Sequence, residues 1–269
     1  RRLRTLAAAE HLPHALLFCG MEGIGKRRTA RVLARTLLCE RVGDAPCGHC
    51  EACRTSRMGV HPDYFETAPE AHGKSAAMIR TDAVRDVLIA ASGAPVSAAR
   101  RIILIDDADR MNETAANRLL KTLEEPSGEV LFLLVTSAYD AILPTIRSRA
   151  VRIAFGILPP AEIEAALAER GTENAATIAA LADGSLGRAY TLAEEGLSLR
   201  DAALELLTRI DALSIEEIRA HADALGARTH EERTAWLSYV QMGLRDLLIL
   251  HEDGAAARLY HTDRRESLT

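Results

Sequence analysis

Aromatic side chains make up only 4% of the 269 residues, with a single tryptophan, too few for a stacking platform under single-stranded nucleic acid. Positive charge is also short. The net charge of −5 argues against a chain that grips nucleic acid over its whole surface. Long apolar runs are missing: Val130 to Val135 is among the longest, far below the ~18 residues needed to cross a bilayer. The basic start Arg1-Arg2-Leu3-Arg4 is not followed by an apolar signal segment. Together these absences lead us to expect a cytoplasmic protein with no membrane partner. With 17 glycines and 9 prolines, the chain is neither collagenous nor broadly low in complexity. What is present is an ordinary mix of 48% apolar and 26% charged residues, with a core of Leu, Ile, Val and Ala that favours helices. At roughly 150 residues per domain the length suggests about two domains.

Ala15 to Cys19 is a short continuous apolar run ending in Gly20, which reads as a buried strand feeding a glycine turn. Behind it Ala30, Leu33, Ala34, Leu37 and Leu38 fall on one helical face. Further strands are predicted at Ile102 to Ile105 and Val130 to Val135. Helices are predicted at Thr81 to Leu88 and along Ala115, Ala116, Leu119, Leu120 and Leu123, the second stopped by Pro126. Alternating strands and helices predict a parallel sheet covered on both faces. Gly156 to Pro160 reads as a linker. Beyond it the texture is helical only, with helices predicted at Ala161 to Arg170, Thr172 to Ala182, Leu186 to Glu195, Ala202 to Ile210, Ile215 to Ala224 and Glu231 to Leu250. Gly184 is the predicted C-cap of the second of these.

Gly20-Met21-Glu22-Gly23-Ile24-Gly25-Lys26-Arg27 fits G-x-x-x-x-G-K without the final Ser or Thr. Glycines let backbone N–H groups wrap a phosphate and the lysine adds a point charge. The bland alternative is a plain glycine turn. The missing hydroxyl is the one that would hold Mg²⁺; Arg27 stands there, and Thr29 comes two residues too late. Ile102 to Ile105 runs into Asp106-Asp107-Ala108-Asp109, with Asp106 where a metal-meeting carboxylate belongs and Asp107 one methylene shorter than the glutamate that orients an attacking water. The two departures agree: a nucleotide fold is present, with ATP/Mg²⁺ turnover not expected and weak nucleotide binding still open.

Cys39, Cys47, Cys50 and Cys53 place four thiols within fifteen residues. In a reducing compartment this clustering points to a structural, tetrahedral Zn²⁺ site with no open position. Disulfides formed on oxidation, or His49 in place of one cysteine, are the alternatives. Cys19, in a strand, reads as a core thiol.

In order, the degenerate P-loop, the four-cysteine insertion, His61-Pro62-Asp63-Tyr64, Asp106-Asp107-Ala108-Asp109, Leu119-Leu120-Lys121-Thr122-Leu123-Glu124-Glu125-Pro126 and Ile146-Arg147-Ser148-Arg149 resemble the AAA+ clamp-loader family, in its delta-prime branch from bacterial DNA polymerase III. The resemblance covers about residues 11 to 190 and is weaker beyond. It implies an α/β AAA+ P-loop domain with a zinc-binding insertion over 1–156 (cysteine module 39–53), a helical lid over 157–197 and a helical collar-like segment over 198–269. It implies a hetero-pentameric ring with gamma/tau and delta subunits, which places a sliding clamp on primer-template DNA in the DNA polymerase III holoenzyme. In this role the subunit has no strong ATPase of its own. Ser148 and Arg149 match a Ser-Arg-Cys motif whose arginine enters a neighbour's ATP site, with Ala150 replacing the cysteine. The degenerate nucleotide site would comprise Gly20, Gly23, Gly25, Lys26, Asp106 and Thr136, the last at the sensor-1 position. Gly184-Ser185-Leu186-Gly187-Arg188 lies where a sensor-2 element belongs, with the arginine displaced by one.

Two other functions compete. A gamma/tau-type subunit that hydrolyses ATP itself should carry Ser or Thr at 27 and Glu at 107, and this chain has Arg27 and Asp107. A zinc-ribbon DNA-binding protein is disfavoured by the charge and the few aromatics; local basic stretches such as Arg27 to Arg35 would instead share DNA contacts across an assembly. The segment 198–269 is short for a complete collar, and Arg1 is no initiator methionine, so a truncated chain, a natural variant or part of a longer chain is expected.

Overall fold

The computed structural model describes residues 12–70, 77–126, 128–253 and 259–268. The chain divides into two units, Arg1–Gly156 and Ile157–Thr269. In the first, β1 (Ala15–Cys19), β2 (Tyr64–Thr67), β3 (Arg101–Ile105), β4 (Val130–Thr136) and β5 (Val151–Ala154) form one sheet in the order β2-β3-β4-β1-β5. Every neighbouring pair is parallel. The helices between them are α1 (Lys26–Leu38), α2 (Glu51–Met58), α3 (Thr81–Ser92), α4 (Glu113–Glu124) and the single turn α5 (Pro144–Arg147).

Strand alternation explains the two layers. Leu17, Ile103, Ile105, Phe132 and Leu134 pack on Val84, Val87 and Ala91 of α3 and on Ala115, Leu119 and Leu123 of α4. Their neighbours Leu16, Phe18, Ile102, Leu104, Leu131, Leu133 and Val135 face Ala30, Leu33, Ala34 and Leu38 of α1. Side chains of opposite parity thus feed opposite cores, which is why β1, β3 and β4 read as unbroken apolar runs. At roughly 1.5–3 kcal/mol per buried large side chain, this double layer is the principal reason the strand ends hold their positions.

His61 to Tyr64 forms a clasp. Asp63, fully buried, accepts the backbone N–H groups of Val96 (2.7 Å), Ser97 (2.7 Å) and Ala98 (2.8 Å), and His61 Nδ1 accepts the N–H of Asp63 (3.0 Å). One carboxylate therefore ties the start of β2 to the turn that precedes β3. Burial alone would raise the Asp63 carboxyl, but the donated hydrogen bonds outweigh it and hold the group below its ordinary value.

The second unit is helical: α6 (Pro160–Ala168), α7 (Ala175–Leu181), α8 (Leu186–Glu195), α9 (Ser198–Arg209), α10 (Ile215–Gly226), α11 (His230–Asp253) and α12 (Arg265–Leu268). One apolar cluster draws on Ile163, Ile178, Leu181 and Leu192 as well as Ala203 and Tyr239, so residues from 157–197 and from 198–269 share a core. Pro160 sits in the first turn of α6, where its missing N–H costs nothing. Ser185 caps α8 by accepting the N–H of Arg188 (3.2 Å). α7 ends at Leu181 with Ala182 as its C-cap, two residues before the predicted Gly184. Gly184 itself has φ +83°, and a Cβ there would lie 2.5 Å from Ile157 Cβ, so glycine is required for close approach. Near the far end, buried Asp246 accepts the N–H groups of Tyr260 (3.0 Å) and His261 (2.8 Å), and Arg200 grips Asp263 at 2.8 Å. Among the described residues no helix is long and apolar enough to cross a membrane.

Candidate functional site

The sheet brings the ends of β1, β3 and β4 together, and the glycine turn rises from the first of them. A Cβ on Gly20 would lie 2.6 Å from the carbonyl oxygen of Phe155, so only glycine lets the chain leave β1 there. Gly23 (φ 75°) and Gly25 (φ 91°) take left-handed conformations before α1 begins at Lys26. Lys26 is buried. Its ammonium donates to the carbonyls of Gly20 (2.9 Å) and Met21 (2.7 Å) and to Ser137 Oγ (3.0 Å). Burial lowers its pKa, with Asp107, Glu22, Asp106 and Asp109 pulling the other way. All three of the ammonium's hydrogen-bonding directions have acceptors within the protein.

Arg27 lies where the motif's hydroxyl would be. Its guanidinium spans two carboxylates: Nη1 is 3.0 Å from Asp106 Oδ2 and Nη2 is 2.7 Å from Glu66 Oε1. Arg31, one turn on, also reaches Glu66 Oε1 at 2.7 Å, and Tyr64 donates its hydroxyl to Glu66 Oε2 at 2.7 Å. Burial pushes Glu66 up, yet the hydrogen bonds from Arg31, Tyr64 and Arg27 prevail and keep it low. Asp106 is raised by its burial, which Arg27 offsets only in part. One planar guanidinium thus bridges the carboxylate at the end of β3 and the carboxylate of β2. Asp107 adopts the left-handed conformation (φ 44°) with its side chain beside Arg110 at 3.8 Å.

Thr136, the last residue of β4, is fully buried. It donates to Asp109 Oδ1 (2.5 Å) and accepts the N–H of Ala138 (3.0 Å). The hydroxyl that meets Lys26 belongs to Ser137, one position further. Sequence reasoning selected Thr136 and missed both Ser137 and Glu66. For Glu66 the signal was available only in the pairing of β2 with β3, which sets Glu66 beside Leu104, two residues before Asp106.

The four cysteines converge. Their sulfur atoms all lie within 4.8 Å of one another, with Cys39 and Cys50 at 4.0 Å. A tetrahedral ion with ~2.3 Å bonds needs sulfurs roughly 3.8 Å apart, so the donor set fits a metal ion with little adjustment. The thiols are free, not disulfide-bonded. Backbone N–H groups of Arg41, Cys50 and Cys53 point at the sulfurs of Cys39, Cys47 and Cys50, each at 3.4 Å. Those from His49 and Cys50 draw the Cys47 thiol down to about 6, while burial pushes Cys53 up to about 12. His49 turns its Nδ1 to the carbonyl of Cys47 at 2.7 Å and is not one of the four converging donors.

Ser148 and Arg149 follow α5. Arg149 pairs with Glu124 Oε1 at 2.6 Å and donates to the carbonyl of Thr145 at 3.0 Å; Ser148 Oγ lies 3.3 Å from its guanidinium. The Leu119 to Pro126 motif and the Ile146 to Arg149 motif, distant in sequence, therefore meet through one ion pair. Its arginine retains about a third of its side-chain exposure.

A family model described as DNA polymerase III, delta subunit, matches residues 1–158. The DNA polymerase III subunit delta' of Pseudomonas aeruginosa is 37% identical over 217 residues, 79% of this chain and 64% of its own length. That of Escherichia coli is 34% identical over 247 residues, 90% of this chain and 72% of its own. A DNA polymerase III subunit gamma/tau from Mycobacterium bovis is 36% identical over 60% of this chain, but over only 27% of its own length. Among solved structures, a DNA polymerase III gamma-subunit-related protein from Thermotoga maritima aligns with 94% of this chain and 85% of its own at 19% identity and a TM-score of 0.47. The chain thus spans about two thirds of the length of the delta' relatives, and it belongs to the DNA polymerase III delta' family of clamp-loader subunits.

Proposed function

We propose that this chain is a non-hydrolysing member of a clamp-loader ring, assembled with gamma/tau and delta subunits in the bacterial cytoplasm, that helps place a sliding clamp on primer-template DNA. The observation that carries the first half is Arg27 bridging Asp106 and Glu66 while Lys26 spends its donors on Gly20, Met21 and Ser137. A site whose carboxylates already hold a guanidinium has lost the metal-positioning step on which phosphoryl transfer depends. The four thiols would hold a structural Zn²⁺ that orders residues 39–53, contributing ~10 kcal/mol or more to that module. The division of the helical unit into a lid over 157–197 and a collar-like part over 198–269 belongs to the same reading.

Arg149, with Ser148 beside it, would act on a neighbouring subunit's ATP. Its pair with Glu124 is partly exposed on both sides, and such pairs are worth only about 0–1 kcal/mol. Handing the guanidinium to a phosphate therefore costs little. Supplied in trans, an arginine can accelerate hydrolysis by ~10³ or more. In a reconstituted assembly, Arg149→Ala in this chain should slow ATP turnover sharply while leaving the chain folded and incorporated. A second reading, an ATP-hydrolysing subunit of gamma/tau type, draws on the intact Lys26 and glycine turn. Turnover by the purified chain that is abolished by Lys26→Ala would establish it and sink the first.

A further inference from the structure

α1 and α2 pack side by side and leave between them a cavity of about 310 Å³ lined by Arg31, Arg35, Ser56, Arg57, Tyr64 and Glu66. Its charge is unevenly matched. Arg31 is committed to Glu66, which also serves Arg27. Arg35 spends one N–H on the carbonyl of Arg31 at 3.3 Å within its own helix. Neither Arg35 nor Arg57, which closes the last turn of α2, meets a carboxylate among the described residues. Two guanidiniums from two different helices thus border one small cavity, with three or more N–H donors each, while the carboxylate that lines it, Glu66, is already taken by Arg27, Arg31 and Tyr64.

We propose that this cleft between the P-loop helix and the helix that follows the cysteines is a phosphate site, with Arg35 and Arg57 as its ligands. The chemistry selects the ligand. Planar guanidiniums suit the oxygens of a phosphate, which can accept several donors at once, and they remain charged at any physiological pH. The cavity is at the small end for a ligand pocket and admits a phosphate group, not a large apolar molecule. Gly59 (φ 75°), just past the end of α2, also lines it. The phosphate is that of a nucleic-acid backbone or of a free nucleotide, and the same two arginines would read either. The site is separate from the glycine turn: Lys26 lines no part of it.

The test is fluorescence anisotropy of the metal-replete chain with a labelled single-stranded oligonucleotide, with inorganic phosphate and ATP as competitors. Arg35→Ala and Arg57→Ala should each weaken binding roughly tenfold, as expected for one charge-assisted hydrogen-bonding group. The double variant should reduce the slope of log affinity against log salt by about 1.4, the share of two phosphate contacts on a single strand. Arg57→Glu should abolish binding, and Arg28→Ala, at an exposed arginine of α1 outside the cavity, should not. Displacement of the oligonucleotide from the parent chain by inorganic phosphate and by ATP identifies a free phosphate group as sufficient. Failure of both to compete, with the arginine effects intact, identifies the backbone. Circular dichroism establishes that each variant is folded, and Arg57→Lys should retain part of the affinity. An Arg28→Ala loss equal to that of Arg57→Ala, unchanged binding in the double variant, or no binding by the parent chain would overturn the assignment.

Discussion

Arg27→Ser is the perturbation that isolates the bridging guanidinium, because it also restores the hydroxyl that the loop motif calls for. In the parent chain Arg27 contacts Asp106 at 3.0 Å and Glu66 at 2.7 Å with its side chain 43% exposed. After discounting for solvent, losing these contacts should cost about 1 kcal/mol, since Arg31 and Tyr64 still hold Glu66. Asp106 then faces the cleft without its ion-pair partner. A divalent cation becomes its best partner, and the gain is measurable by linkage. At a Mg²⁺ concentration about tenfold above the dissociation constant, a ligand of the native state alone adds roughly 1.4 kcal/mol. For a chain of this size that raises the melting temperature by ~3–6 °C. Calorimetry with and without Mg²⁺ should therefore show a Mg²⁺-dependent upward shift in Arg27→Ser, and little or none in the parent chain, where the guanidinium competes. An equal shift in both proteins, or none in a folded Arg27→Ser, would falsify the idea that Arg27 holds the metal's place.

Two further expectations follow from other parts of the first unit. Asp63→Asn should destabilise the protein by about 2 kcal/mol at neutral pH and Asp63→Ala by ~3–5, because buried N–H donors lose a charged acceptor. Asp63 sits below its ordinary value in the folded state, so its contribution is complete above the unfolded-state value of ~3.9 and is lost as pH falls through the folded-state one. Denaturant unfolding of Asp63→Asn should accordingly show a flatter stability profile than the parent below about pH 4; parallel profiles would remove Asp63 as a source of acid sensitivity. For the cysteine module, metal analysis of reduced protein should find one zinc per chain. Stripping it, or Cys53→Ser, should raise amide exchange across residues 39–58 while leaving the β1, β3 and β4 amides protected. Absence of metal from protein purified without chelator would remove the zinc reading.

The parts of the fold that were plain in the sequence are those where one physical signal dominates. β1, β3 and β4 are buried on both faces and so read as unbroken apolar runs. The helix Leu186–Glu195 has the bounds its periodicity predicts. β2 and β5 were not legible, because Tyr-Phe-Glu-Thr and Val-Arg-Ile-Ala are short edge strands whose side chains are only partly covered. That omission hid Glu66. From the sequence Arg27 reads as the loss of a hydroxyl; only the register of β2 reveals that it is also the gain of a bridge. Ser137 was overlooked for a related reason. Adjacent residues at a strand end point in opposite directions, so a shift of one position exchanges Asp109 for Lys26 as the partner. The four cysteines needed no tertiary knowledge, since their spacing alone brings the sulfurs together.

The hydrogen bonds of Lys26 carry a consequence for how the chain behaves as its surroundings change. An ammonium held by Gly20, Met21 and Ser137 makes the glycine loop its own ligand and ties it to the end of β4. A small molecule shifts a conformational equilibrium only by the difference in its affinity for the two states. A loop that is already closed on its own lysine leaves little difference for ATP or ADP to exploit. In the assembly proposed above, such a chain would keep one geometry across the cellular range of ATP and ADP, and motion of the other members would be measured against it.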